Sequence, residues 1–270
     1  MDAWTDGRMN SGTPESDPTM RPSDHPTVFQ DVIIVGGGCY GSFYARQMID
    51  ARSRGKAVFE RLLLVDRNAD CPAATEFAGV PGLKIVPAEW AGFFDGYLDP
   101  ALAGPLDVVI PSPLMPHLFF EWLVRRATLR WSDRAVDPGP LPGVLGTPYE
   151  RQGRDGSTYL SFADWTCPIH CTEPSLCPII RGPRTWEMGE ALERYCRANG
   201  FSGPALFTVD HLVHGVGGFG VSAVLAAERT MIDAVEEGQG ALVVGTVSSC
   251  HGAAGLLQIG APGTAQRSVG

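Results

Sequence analysis

Apolar residues in this chain fall in short unbroken runs separated by amphipathic stretches, a rhythm that predicts strands alternating with helices. The first run, Val32 to Val35, opens the stretch DVIIVGGGCYGSFYARQM, which extends from Asp31 to Met48. Four β-branched residues in succession suit a strand covered on both faces. The residues that follow place Ala45 and Met48 on one side of a predicted helix. Further runs, Arg61 to Val65, Leu83 to Val86 and Leu106 to Ile110, predict three more buried strands. After PSPLMPH, where proline blocks earlier helix formation, a helix is expected from His117 to about Leu129. Its apolar face would carry Leu118, Phe119, Trp122 and Leu123.

The pattern then changes. Trp131 to Ser157 is rich in proline and glycine and reads as a linker or long surface loop. Beyond it the pattern predicts a strand over Ser157–Phe162, a helix over Thr185–Asn199 stopped by Gly200, and a strand over Ala205–Asp210. A helix over Val221–Glu236 and strands over Ala241–Ser249 and Gly255–Ile259 complete the chain. The last three strands would form a small sheet under the 221–236 helix. Residues 1–28 carry Pro14, Pro18, Pro22 and Pro26 with little apolar surface, and a disordered arm is expected. The expected organisation is that arm, an α/β domain over 29–130, a linker over 131–157, an α+β lobe over 158–260 and a tail over 261–270.

Chemistry enters with the glycines. Gly36, Gly38 and Gly41 follow the first strand in the G-x-G-x-x-G spacing, and the second strand ends in the acidic Asp66. In this arrangement the first glycine permits a tight turn, the second lets a pyrophosphate approach the backbone, and the third lets helix and strand pack closely. The helix N-terminus would turn N–H groups toward phosphate. On these residues, over roughly 31–130, the chain resembles the Rossmann NAD(P)-binding family, including the modules of the TrkA-N type. The resemblance implies an N-terminal doubly wound Rossmann-like parallel sheet, which the smaller α+β lobe read from the pattern above would follow. It also implies that Gly36, Gly38, Gly41 and Asp66 hold NAD, or NADP if Arg67 accepts its extra phosphate. The same fingerprint serves FAD, but the chain is short for a flavin domain with a substrate domain. A second such triplet, Gly215, Gly217 and Gly220, is separated from its strand by HLVH and reads as a flexible loop.

A net charge of −9 leaves no excess of cations for general nucleic-acid binding. No leader-like segment and no apolar stretch of membrane-spanning length is evident, so a cytoplasmic location is expected. Seven cysteines, an odd number, argue for free thiols or a metal site over a disulfide framework. Cys167, Cys171 and Cys177, with His170, lie in CPIHCTEPSLCP. Thiolates are soft ligands for zinc or an iron–sulfur cluster, although the usual C-x-x-C pairs are missing. Cys250 and His251 are distant candidates for a further ligand. Arg181 and Arg184 are candidates for an anionic group. For acid–base work the candidates are His117, at a strand exit with Ser112, and the pair His211 and His214.

The expectation is therefore an NAD(P)-binding oxidoreductase with a cysteine-ligated metal or iron–sulfur site, acting on a small molecule. The other reading, which the TrkA-N resemblance implies, is a nucleotide-sensing module whose cysteine loop is structural zinc or a redox sensor. A homo-oligomer is compatible with both.

Overall fold

The structure is a computed structural model that describes residues 26–168 and 171–264. The expected arm therefore lies almost wholly outside the described residues, as do His170 and most of the expected tail. In chain order, β1 (Thr27–Val28), β2 (Asp31–Val35), α1 (Cys39–Ser53), β3 (Ala57–Val58), β4 (Arg61–Asp66) and α2 (Pro72–Glu76) come first. Next are β5 (Leu83–Pro87), α3 (Trp90–Tyr97), β6 (Val108–Ile110), α4 (Leu118–Arg130), β7 (Val136–Pro140) and β8 (Tyr149–Gln152). Then follow β9 (Thr158–Ser161), β10 (Leu176–Cys177), β11 (Gly182–Pro183), α5 (Met188–Asn199) and β12 (Ser202–Thr208). The chain closes with β13 (Asp210–Val213), β14 (Val216–Gly220), α6 (Val221–Glu236), β15 (Ala241–Val247) and β16 (His251–Ile259).

The class is mixed α/β, built on two large sheets. The first has the order β13-β14-β6-β2-β4-β5. Its β6, β2, β4 and β5 are mutually parallel, and β14 joins β6 antiparallel. The expectation of a wholly parallel sheet is thus corrected to a mixed one. The difference comes from His211 to Gly220, expected as a loop. Gly217 and Gly218 are strand residues, and a Cβ on Gly218 would sit 2.7 Å from the carbonyl oxygen of Val109. Glycine is what lets this hairpin lie close against β6. The second sheet runs β12-β15-β16-β9-β8, with β7 also paired to β16. Residues 131–157, expected as a linker, supply its strands β7 and β8. Prolines at 138 and 140 hide that strand from a periodicity reading, and an edge position tolerates them.

Alternate side chains on each buried strand enter different layers. Val32 and Ile34 pack with Ala45, Met48 and Ala51 of α1, while Ile33 and Val35 pack with Phe94 of α3 and Phe119 and Trp122 of α4. The second layer is continuous with Leu242, Val244, Leu257 and Ile259 of the other sheet. Helices α4 and α6 therefore lie between the two sheets. On the far side, Met188, Leu192 and Tyr195 of α5 cover Val243, Val247 and Leu256. The molecule is layered helix, sheet, helix, sheet, helix. Gly200 ends α5 in the left-handed region, as its sequence position predicts. At the N-terminal ends of the parallel strands, buried Asp31 and Asp107 share the hydroxyl of Tyr97, and Arg61 pairs with Asp31. No helix among the described residues is long and apolar enough to cross a membrane.

Candidate functional site

Residues 36–41 leave β2, and Pro111 to Pro113 leave the adjacent parallel strand β6, at the same edge of the first sheet. From that point α1 packs on one face and α4 on the other. A crevice forms where neighbouring parallel strands send their helices to opposite faces.

The three glycines of the turn meet different local demands. Gly36 has φ +89°, a conformation that side chains disfavour. A Cβ on Gly41 would lie 1.8 Å from the carbonyl oxygen of Gly36, so only glycine allows α1 to start so close to the turn. A Cβ on Gly38 would meet nothing within 4 Å. Gly38 is the N-cap of α1, and no side chain caps the helix. The first N–H groups of α1 are thus left without a side-chain cap. Gly37, between them, is fixed from both sides. Its N–H donates to Asp66 Oδ2 at 2.7 Å, and its carbonyl accepts from Ala73. Asp66 Oδ1 accepts from the N–H of Asn68. Each carboxylate oxygen keeps lone-pair capacity for a further donor. Cys71 is buried at the N-cap of α2 against Gly37.

A cavity of about 510 Å³ opens at the β6 exit and Tyr44 of α1, and residues 36–41 are not among its described lining. Tyr44 of α1 and Pro111, Ser112, Pro113 and Pro116 from the β6 exit form one wall. The second sheet supplies Tyr159, Ser161, Thr246, Ser248 and His251 opposite. The cysteine loop closes a third side with Cys167, Cys171 and Glu173, and no lysine or arginine is among the described lining residues. Glu173 holds that loop in place. Its Oε1 accepts from Ser248 Oγ at 2.7 Å and its Oε2 from the N–H of Cys250 at 3.2 Å. Arg184 donates to the carbonyls of Glu173 and Trp186 and pairs with Glu187. Arg184 is thus engaged in fixing the loop, and Arg181 is exposed.

Burial, with Cys171 nearby, pushes the Cys167 thiol above its ordinary range. Burial pushes Cys250 up to about 11, against the opposing hydrogen bond from the Trp186 indole. Cys177 sits on β10, away from the cavity lining. Among the described residues, no three His, Cys, Asp or Glu side chains are already gathered closely enough to hold a metal ion.

The histidines separate in space. His117 precedes α4, with Nδ1 2.7 Å from Asp155 Oδ2 but out of line for a hydrogen bond. Asp155 also accepts from Tyr159 Oη at 2.8 Å. Burial raises the Asp155 carboxyl, but the bonds from Tyr159 and Ser157 and the nearby His117 outweigh it and leave it low. Burial, with that same bond to Asp155, pushes Tyr159 up to about 12. His211 and His214 lie in the β13–β14 hairpin. His211 Nε2 accepts from the N–H of Gly215, and His214 faces Asp50 of α1 at 3.2 Å. Each closes local structure, and neither lines the cavity. His251 does line it. The Nδ1 of His251 is 3.0 Å from Ser161 Oγ, and burial lowers its pKa.

Sequence reading missed Asp155, Tyr159, Ser161 and Glu173 as members of the cavity or its support. No local motif marks them, because strands far apart in sequence bring them together. A protein-family profile described as "Uncharacterized protein, C-terminal domain" (AF_1314_C) matches residues 119–260. No curated protein and no solved structure matches.

Proposed function

The chain belongs to the AF_1314_C family, whose description carries no activity, and from that premise we propose that it binds NAD(H) at the β2–α1 turn and is an oxidoreductase for a small molecule held in the adjacent cavity. The observation that carries this reading is the division of labour among the glycines. Gly36 needs a positive φ, Gly41 needs the absence of a Cβ for packing, and Gly38 alone faces open space. Folding requires the first and third, whereas an open second glycine is what a bound pyrophosphate requires. Supporting it, β5, β4, β2 and β6 lie side by side in parallel, an order found in the first half of Rossmann folds. The turn also opens where α1 and α4 diverge to opposite faces. Asp66 favours NAD over NADP, because a carboxylate accepts from ribose hydroxyls and repels a 2′-phosphate. The cavity would bring a substrate beside the nicotinamide. The nicotinamide would supply the hydride chemistry, while the protein orients it.

Titration of the full chain with NADH, read by nucleotide fluorescence, tests the reading. Gly38→Ala should keep the melting temperature and weaken binding by at least about tenfold, or about 1.4 kcal/mol. Gly41→Ala should instead lower the melting temperature sharply, since its Cβ collides with backbone. Unchanged NADH affinity in Gly38→Ala would sink the assignment. NADH oxidation with a dye acceptor favours the enzyme. Binding without turnover favours the sensing module that the TrkA-N resemblance implies.

A further inference from the structure

We propose that the cavity binds an uncharged small alcohol, whose hydroxyl donates to Nε2 of His251 and accepts from the hydroxyl of Thr246. This gives a substrate class to the oxidoreductase reading above. Turnover of the alcohol rests on that reading, but its binding does not.

One face of the second sheet forms the polar wall of the cavity. Pairing of β15 with β16 sets Thr246 opposite Ala253, and pairing of β16 with β9 sets His251 opposite Ser161. Residues two apart on a strand share a face, and all four of these border the cavity. Thr246 and His251 are thus diagonal neighbours, with Cβ atoms about 7 Å apart, close enough for one ligand oxygen to lie between the two side chains. Both have hydrogen-bonding capacity left over. Thr246 is 9% exposed, and its Oγ1 has no partner among the described residues. A buried hydroxyl in that state costs stability, and one rotation about χ1 exchanges Oγ1 with the methyl position. The state of His251 follows from Ser161. Ser161 Oγ is 2.7 Å from the carbonyl of Ala163, to which it donates its single proton, and it accepts from the Ala163 N–H. The contact at 3.0 Å between His251 Nδ1 and Ser161 Oγ must then be donated by the ring. That leaves Nε2 as the lone-pair nitrogen, and no described residue donates to it. Burial lowers the His251 pKa, with Glu173 opposing, and so favours this neutral, accepting ring.

A hydroxyl supplies a donor and an acceptor on one atom, which is what this pair of side chains requires. A carboxylate has acceptors only. It would meet the Nε2 lone pair and the Glu173 charge in a space whose described lining includes no lysine or arginine. An ammonium group has no acceptor for the Thr246 proton. Tyr44, Pro111, Pro113, Leu160 and Val209 offer the remaining wall to an apolar body. In the oxidation proposed above, the hydroxyl proton would pass to Nε2 while hydride leaves the carbinol carbon for the nicotinamide. The alcohol then becomes a carbonyl compound, and the oxidised dinucleotide becomes NADH.

The test uses the full chain, free of dinucleotide, titrated at neutral pH with benzyl alcohol, benzoate and benzylammonium, which share a ring and differ in charge. Binding is read by saturation-transfer NMR of each probe and by the shift of the His251 ring resonances. Benzyl alcohol should bind at least about fivefold more tightly than either ion. Thr246→Val keeps the shape and removes an unpartnered hydroxyl, so it should hold or raise the melting temperature while weakening benzyl alcohol by about fivefold. A threonine that served the fold alone would leave that affinity unmoved. His251→Phe should weaken it by a similar factor, and His214→Gln, away from the cavity, should not change it. Far-ultraviolet circular dichroism of each variant separates ligand loss from unfolding, and the His251 shift in wild type stands in for His251→Phe if that variant does not fold. Absence of saturable benzyl alcohol binding overturns the site. So does tighter binding of either ion, or a folded Thr246→Val variant with wild-type affinity. Failure here leaves the NADH titration untouched, and failure there leaves the alcohol titration untouched.

Discussion

At the scale of single residues, the same residue type plays opposite parts within a few positions. Gly36 and Gly41 serve the fold, whereas a Cβ on Gly38 would meet nothing within 4 Å. The histidines divide in a similar way. His211 needs an unprotonated Nε2 to accept from Gly215, and burial followed by the proximity of His214 lowers its pKa from the ordinary 6.5. A base held below its unfolded value contributes stability that is fully present above 6.5. It is lost as pH falls from there through the folded value, because the unfolded chain takes up the proton first. His214 and Asp50 are the charged groups facing this turn, and the ring retains solvent contact, so the effect should be modest. Denaturant midpoints measured between about pH 5 and pH 8 should fall toward the acid side in the wild type. His211→Gln can still accept from Gly215 but cannot take up that proton, so its profile should be flatter. An equal acid slope in both proteins would assign the loss to another group.

Whole elements show how far the chain was legible. Val32–Val35 and Arg61–Asp66 were readable because strands buried on both faces cannot afford polar interruptions, and the helix after the glycines was readable from its small and apolar side. The β13–β14 hairpin was not. Its glycines look like flexibility in sequence, yet they serve close packing, with Gly217 against Val209 and Gly218 against Val109. Prolines disguised β7, and a short exposed segment disguised β8. The cavity was legible only in part, through its cysteines and through the strand exit at Ser112. Asp155, Tyr159 and His251 converge by pairing of β9 with β8 and β16, a register that no local pattern encodes. The hairpin offers a direct check. In Gly218→Val the new side chain would meet the Val109 carbonyl and Leu212, forcing β14 away from β6. Overpacking of this kind costs about 2 kcal/mol, so the variant should show a clearly lowered denaturant midpoint. Wild-type stability in that variant would mean that the hairpin is not bound closely to the sheet.

For the molecule as a whole, the decisive feature is that its central layer belongs to both halves of the chain. Phe119 on α4 is buried, with Phe94, Phe207 and Phe219 at ring-centroid distances of 5.0, 5.4 and 5.1 Å. One of these partners precedes it in the glycine-turn half, and two follow it beyond the cysteine loop. A fragment ending near residue 130 would expose the α4 face and leave β6 without its β14 neighbour. A fragment starting at 119, where the family match begins, would leave β14 without β6. Neither half can bury its own apolar surface, so the two should not fold independently. The full chain should therefore unfold in one transition, with tryptophan fluorescence and far-ultraviolet circular dichroism coincident. Residues 26–130 expressed alone should lack a cooperative melt. Phe119→Ala should destabilise the whole chain by about 3–5 kcal/mol, without resolving a second transition. A sharp, independent melt of the 26–130 fragment would instead divide the molecule at the proline-rich stretch, and the cavity would then lie between two separable domains.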